Sequence, residues 1–291
     1  DCINLPGSMP EKLKGDEVTA KTQWTGSLYD SSYYYNPYME KYRKEGNIKF
    51  PFFLTPDKHY VGAAWYQKEV NIPADWKGER ILLFLERPHI ETTVWVNGQK
   101  TGMQNSLCVP HQYDITHYVR PGKCTITIRV DNRIKEINVG PDSHSITDQT
   151  QGNWNGIVGR ICLQTTPKTY FDDIQIYPEP EQKLARVKVV IKGTGTAKVK
   201  LSAESFNTDK KHIVPAIQQE IKLNKGVTET EMVLPMGNDM LLWDEFHPAL
   251  YKLKAEVTNG KKTEIKEIQF GMRRFEIKGK WFYVNGRKTQ L

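Results

Sequence analysis

The stretch DQTQGNWNGIVG, residues 148–159, is dense in groups that bind hydroxyls. Asp148, Gln149, Gln151, Asn153 and Asn155 can accept or donate hydrogen bonds to the alcohols of a polar ligand. The face of Trp154 can pack on the apolar C–H face of a sugar ring. Together they read as a carbohydrate-binding loop that runs into a strand near Ile161. The same residue types also suit a structural loop, in which Asn and Gly supply positive φ angles and Trp154 is buried. On residue types alone this second reading has the edge.

Other chemistry is sparse. The chain carries no G-x-S-x-G elbow, no H-E-x-x-H pair and no phosphate-cradling glycine loop. Its seven histidines are scattered singly, as befits structural or surface residues. Glycoside hydrolysis needs two carboxylates about 5–10 Å apart, and no such pair stands out among the many strand-borne acids. Nothing calls for a cofactor or a metal. The four cysteines, Cys2, Cys108, Cys124 and Cys162, form no C-x-x-C pair. Cys108 and Cys124 could be bridged in an oxidising compartment, while Cys124 and Cys162 also read as small strand residues. Two further aromatic clusters stand out. SLYDSSYYYNPY, with Tyr29, Tyr33, Tyr34, Tyr35 and Tyr38, reads as a segment wrapping the core rather than as a ligand surface. YVGAAWYQKEV, with Trp65 and Tyr66, reads as core.

The elements that must position these residues are strands. CTITIRV places Ile126, Ile128 and Val130 on one face; RVKVVIK and YKLKAEV alternate in the same way. Period two of this kind predicts sheets with one buried and one wet face. Asn97-Gly98, Asn259-Gly260 and Asn285-Gly286 each lie between strand-like runs and predict hairpins. Helical signal is confined to YMEKYRK, enough for one or two turns. The chain is therefore expected to be all-β. At 291 residues it has room for two domains. A jelly-roll sandwich is expected over residues 1–170 and an immunoglobulin-like sandwich over 171–273, with the Pro-rich YPEPEQK (Tyr177–Lys183) as linker. Residues 274–291 form a separate hairpin.

Composition excludes several classes. Hydrophobic residues make up 38% of the chain, enough for real cores. The net charge of +7 comes from 41 basic and 34 acidic residues that are interspersed, with no basic stripe for nucleic acid. No apolar run approaches the ~20 residues of a membrane span. DCINLPGSMP lacks the basic start and apolar stretch of a signal peptide, which leaves room for a leader removed in processing. Cys2 reads equally as the relic of a lipid-anchored N-terminus or as an ordinary cysteine. The absence of an Asn-x-Ser/Thr acceptor favours a bacterial source.

Read in order, several stretches resemble glycoside hydrolase family 2, the β-galactosidase, β-glucuronidase and β-mannosidase group. GAAWYQKEVNIP is similar to its first core strand and RPHIETTVWVNGQKTG to its Val-Asn-Gly hairpin. YDITHYVRPGKCTITIRVDN and GNWNGIVGRICL resemble the segments that complete its sugar-binding domain. LWDEFHPALYKLKAEV and FGMRRFEIKGKWFYVNGRK resemble the end of its immunoglobulin-like domain and the lead-in to its catalytic barrel. The resemblance implies that the last hairpin precedes a (β/α)-barrel carrying both catalytic Glu residues. No position in this chain then inherits a catalytic role. It also implies a bacterial, periplasmic or extracellular β-galactosidase-like parent enzyme acting on terminal β-linked sugars. Asp148 inherits contact with sugar hydroxyls, followed by Asn153 and Trp154. This context brings the ligand-loop reading level with the structural one. Two other readings stand beside the enzyme: a free-standing carbohydrate-binding or adhesion module, and a scaffold for contacts within a homo-oligomer.

Overall fold

The computed structural model describes residues 2–19, 21–25, 35–48, 56–135, 148 and 152–290. Contacts divide the chain into two compact units, Asp1–Thr165 and Thr166–Leu291.

The first unit contains β1 (Gly7–Ser8), β2 (Asp16–Glu17), β3 (Lys58–His59), β4 (Ala63–Ile72), β5 (Arg80–His89), β6 (Glu91–Val96), β7 (Gln99–Asn105), β8 (His111–Asp114), β9 (Gly122–Asp131) and β10 (Gly156–Thr166). Two four-stranded sheets, ordered β1-β10-β5-β8 and β4-β9-β6-β7, form a jelly-roll sandwich. The expected alternation is realised on β9, where Cys124, Ile126, Ile128 and Val130 are all buried. They share one core with Ile81, Leu83 and Leu85 of β5, Val94 and Val96 of β6, and Ile157 of β10. Burial of each such side chain stabilises the fold by about 1.5–3 kcal/mol. Asn97 and Gly98, at φ 49° and 79°, make the two-residue turn between β6 and β7. YMEKYRK contributes to a short 3-10 helix, Pro37–Tyr42, whose start is capped by Asn36 accepting from the Tyr38 N–H at 3.0 Å.

Two readings of aromatic stretches need correction. On β4, Ala64 and Tyr66 are core, but Trp65 is 61% exposed, because neighbouring residues on a strand face opposite ways. It lies against Trp95 on the outer face, ring centroids 5.0 Å apart. Tyr35 and Tyr38 are also exposed rather than wrapped onto the core; Tyr29, Tyr33 and Tyr34 lie outside the described residues.

The second unit contains β11 (Tyr170–Glu179), β12 (Leu184–Ser205), β13 (Ile213–Pro235), β14 (Tyr251–Asn259), β15 (Lys262–Phe270), β16 (Phe275–Lys278), β17 (Trp281–Val284) and β18 (Arg287–Thr289). It is the immunoglobulin-like sandwich. Its sheet runs β11-β12-β14-β15, with β13 also on β12. The 22-residue β12 serves both halves of the fold: its first part pairs with β11 and its last part with β14. The register shifts between Gly193 and Gly195. Gly195 is at φ +86°, and a Cβ on Gly193 would stand 2.6 Å from Thr169 Oγ1. Side chains on both parts of β12 therefore reach one core, Val187 and Ile191 with Val199 and Leu201. The final hairpin appears as expected, Asn285-Gly286 joining β17 to β18 within a three-stranded sheet.

The expected linker is a correction too. The division falls between Thr165 and Thr166, a few residues before the expected boundary at 170/171 and well before Tyr177–Lys183. Tyr177–Lys183 instead completes a hairpin inside the second unit. Pro178 lies on β11, an edge strand where a missing N–H is tolerated. Pro180 begins a 3-10 turn, which closes at Lys183 in the left-handed region (φ 53°).

Candidate functional site

Four segments of the first unit meet at one end of the sandwich: the approach to β4, the end of β5, the end of β9 and the loop entering β10. Three asparagines bind them together. Asn155, fully buried, donates to the Gly62 carbonyl at 2.8 Å and the Val130 carbonyl at 2.9 Å, and accepts from the Tyr66 hydroxyl at 3.1 Å. Asn132, also fully buried, donates to the Tyr60 carbonyl at 2.7 Å and accepts from the Gly62 N–H at 2.8 Å. Asn153 accepts from Asn132 at 3.0 Å and donates to the Asn132 carbonyl at 3.0 Å and to Thr25 Oγ1 at 2.9 Å. Irregular backbone at the end of a sandwich leaves buried carbonyls and N–H groups without a ladder, and amide side chains satisfy both kinds.

Asp148 lies beneath this layer, 2% exposed. Its carboxylate accepts from the Thr25 N–H at 2.6 Å and from the Asn153 N–H, while its own N–H donates to the Thr25 carbonyl at 3.2 Å. The structure thus brings Asp148, Asn153 and Trp154 together, but Asp148 and Asn153 are held from within as clamps. Gln149 and Gln151 lie outside the described residues. Trp154 is half-buried and stacks on His89, centroids 4.5 Å apart and planes within 14°. His89 Nδ1 stands 2.6 Å from the Trp154 carbonyl. A carbonyl can only accept, so Nδ1 carries the proton and a neutral ring leaves Nε2 as the acceptor.

Burial pushes the His89 pKa down, opposed by the bond to the Trp154 carbonyl and by the charge of Asp148. Burial also lowers that of His59, again opposed by Asp148. His59 is 8% exposed, its Nε2 has no partner among the described residues, and its ring sits edge-on to Trp24 at 4.9 Å. An ion cluster abuts this layer through Asp131, the neighbour of Asn132. Fully buried Asp131 meets Arg129 at 2.5 Å, Arg133 at 2.6 Å and Lys135 at 3.0 Å. Glu91 meets Arg129 at 2.8 Å and Lys135 at 3.0 Å. Burial alone would raise the Asp131 pKa, but hydrogen bonds from Arg133 and Lys135 hold it well below the usual carboxylate range. Three cations on two carboxylates leave the cluster net positive.

The glycines after the loop have steric roles. A Cβ on Gly156 would lie 2.3 Å from the Gly7 carbonyl oxygen, so only glycine lets β1 approach β10. Gly159, at φ +76°, leaves space for Glu86, which accepts from the Arg160 N–H at 2.8 Å. His89 and Asn132 escaped sequence reasoning. Their signals were a polar end to the apolar run ILLFLERPH and the Asp-Asn that closes an alternating strand. No group of three or more metal-ligating side chains is found among the described residues.

Comparison with known proteins matches this architecture unit by unit. The profile of the Glycosyl hydrolases family 2 sugar binding domain matches residues 14–167, and that of Glycosyl hydrolases family 2 matches residues 169–273. Human β-glucuronidase is 26% identical over 262 residues, covering 79% of this chain and 38% of the relative. The β-galactosidase large subunit of Latilactobacillus sakei is 25% identical over 244 residues, covering 82% of this chain and 36% of the relative. The crystal structure of a glycosyl hydrolase family 2 member from Bacteroides cellulosilyticus superposes with a TM-score of 0.67 at 20% identity, over 99% of this chain and 35% of that one. The chain therefore spans well under half the length of these relatives.

Proposed function

The chain belongs to glycosyl hydrolase family 2, and from that premise we propose that it is the non-catalytic N-terminal region of an exported bacterial β-glycosidase. Joined to a catalytic barrel, it serves in hydrolysing terminal β-linked sugars, in an organisation like that of the β-galactosidases, in the periplasm or outside the cell. The observation that carries this reading is the match of both units, in order, to two domains of one hydrolase family. The two relatives, a β-glucuronidase and a β-galactosidase, agree on a β-glycoside and leave the sugar open.

In this reading the loop at residues 148–155 lines one side of the sugar site. Trp154 is the contact residue: stacking on His89 fixes the indole before the ligand arrives, so little side-chain entropy is lost on binding. Asp148 and Asn153 are positioning residues, because their hydrogen bonds go to Thr25, Asn132 and the loop backbone. Asp148, 2% exposed, shapes the loop whose surface groups meet the sugar hydroxyls. Each such contact is worth about 0.5–1.5 kcal/mol. Its effect is to hold the ring against carboxylates supplied from elsewhere, which lowers the barrier by orientation.

The test is a panel of aryl β-galactoside, β-glucuronide and β-mannoside given to the full-length protein and to this chain alone. Turnover of one substrate by the full-length protein, and none by the chain, is expected. A full-length protein inactive on all three would contradict the proposal.

A further inference from the structure

In the sheet β4-β9-β6-β7, residues paired across strands point to the same side. Trp65 pairs with Arg129, and Arg129 with Thr93; Gln67 pairs with Thr127, and Thr127 with Trp95. All six stand on the outer face, opposite the core residues Ile126, Ile128 and Val130. Trp65 on β4 and Trp95 on β6 lean over the intervening β9, and their rings meet with centroids 5.0 Å apart and planes at 32°. Trp65 nevertheless stays 61% exposed, although tryptophan is highly buried on average. The two indoles are thus fixed by each other and open to solvent.

Neutral hydrogen-bonding groups flank the rings. The Gln67 amide donates to Thr127 Oγ1 at 2.9 Å, which leaves the Gln67 side-chain oxygen as an acceptor and the Thr127 hydroxyl as a donor. The charges on the face are mostly paired. Arg129 donates to Glu91 at 2.8 Å and to Asp131 at 2.5 Å, and Lys123 meets Glu69 at 2.8 Å. Lys100, opposite Trp95 on the edge strand β7, adds one cation at the rim. Apolar surface beyond the indoles is confined to Met103, opposite Thr93 and 52% exposed. A protein partner calls for a broader patch, whose core is about 65% apolar, and a nucleic acid calls for a row of unpaired cations. A neutral chain of sugars fits instead: its C–H faces pack on indoles, and its hydroxyls meet Gln67 and Thr127. At the outer edge of the sheet, Trp65, Gln67 and Lys68 also line a cleft of about 520 Å³, within the size range of small-ligand sites. Such a chain can therefore continue over β4.

We propose that Trp65 and Trp95, with Gln67 and Thr127, form a second carbohydrate surface, which holds a neutral polysaccharide chain on the outer face of the sheet in addition to the loop at residues 148–155. Its affinity is spread over several sugar rings, so a polymer binds where a monosaccharide does not. Binding here needs no catalytic barrel, and a protein inactive on every aryl glycoside would still show it.

The experiment is a calorimetric titration of the chain with a neutral galactan, a galactomannan, a mixed-linkage β-glucan and polygalacturonate, in about 0.3 M salt to screen surface charge. Saturable binding of at least one neutral polymer is expected, tighter than that of polygalacturonate. Trp65→Ala should weaken it about tenfold or more, Gln67→Ala should weaken it less, and Trp65→Tyr should retain most of it. Trp154→Ala should leave it unchanged. Trp65 and Gln67 are both exposed, so these variants keep the fold, as an unchanged melting temperature would verify. No binding of any neutral polymer, equal binding by Trp65→Ala, or a preference for polygalacturonate would overturn the proposal. So would loss of binding in Trp154→Ala, which would assign it to the loop. A dimer that Trp65→Ala dissociates in sedimentation would also overturn it, by marking the face as a contact between copies of the chain.

Discussion

The two units bury different things. The second encloses an almost purely apolar core, in which Leu201, Leu234, Tyr251, Leu253 and Val257 are wholly inaccessible. Among its described residues the one buried carboxylate, Glu264, accepts from the Phe171 N–H at 2.6 Å. The first unit has a comparable apolar core and, at one end, a layer of buried polar groups: Asp131, Asn132, Asp148, Asn153, Asn155, His59 and His89. Such layers add little net stability, since each bond replaces one to water. They are costly to break, because a lost partner leaves a buried group unsatisfied. Apolar packing thus suffices where a unit only has to fold. A polar layer appears where irregular segments must be held in one geometry, and that is where the candidate sugar loop lies.

Perturbing each layer should sharpen this contrast, read as domain-resolved hydrogen exchange or as two denaturant transitions. The largest effect is expected for Asp131→Ala. It strips a buried carboxylate from Arg129, Arg133 and Lys135 and should destabilise the first unit by about 3–5 kcal/mol. Leu253→Ala should cost the second unit about 2–5 kcal/mol through cavity formation, leaving protection in the first unchanged. Asn155→Ala leaves two carbonyls and the Tyr66 hydroxyl short of a partner and should cost the first unit about 2–3 kcal/mol. A neutral outcome there would break the comparison. Trp154→Ala should shift stability by less than about 1 kcal/mol while raising KM of the full-length protein about tenfold, kcat changing less.

The pH dependence differs in kind. His59, His89 and His111 all have pKa values lowered by burial. The unfolded chain therefore binds more protons than the folded one as pH falls below about 6.5. Stability of the first unit should decline from there until the folded pKa values are reached, by at most about 1.4 kcal/mol per pH unit for each histidine. Urea midpoints between pH 7.5 and 5.5 measure the slope, and His89→Gln should reduce it.

Sheet content was plain in the sequence because period two is a local property, and β9 and β14 bury the faces that alternation assigned. The Asn-Gly turns were legible for the same reason, though not to the residue. Asn97 and Asn285 take positive φ within their turns. Asn259 instead pairs with Lys262, which leaves Gly260 and Lys261 as the turn, and its side chain bonds the Thr194 carbonyl at 2.8 Å. The prolines after Tyr177 misled because proline marks an edge strand and a tight turn as readily as a linker. The loop at Asp148 was found by residue type, but type does not reveal direction. Asn153 looks the same in sequence whether its amide faces a sugar or Asn132. His89 meets Trp154 across 65 positions of sequence, and no local pattern reports such a contact.

The central claim is that this chain supplies one side of a sugar site. Calorimetric titration of the chain with galactose, glucuronate and mannose tests it most directly. The account predicts no heat of binding, or only millimolar affinity that Trp154→Ala removes. Micromolar binding to any of the three would contradict it, and would make the chain a carbohydrate-binding module with a complete site of its own.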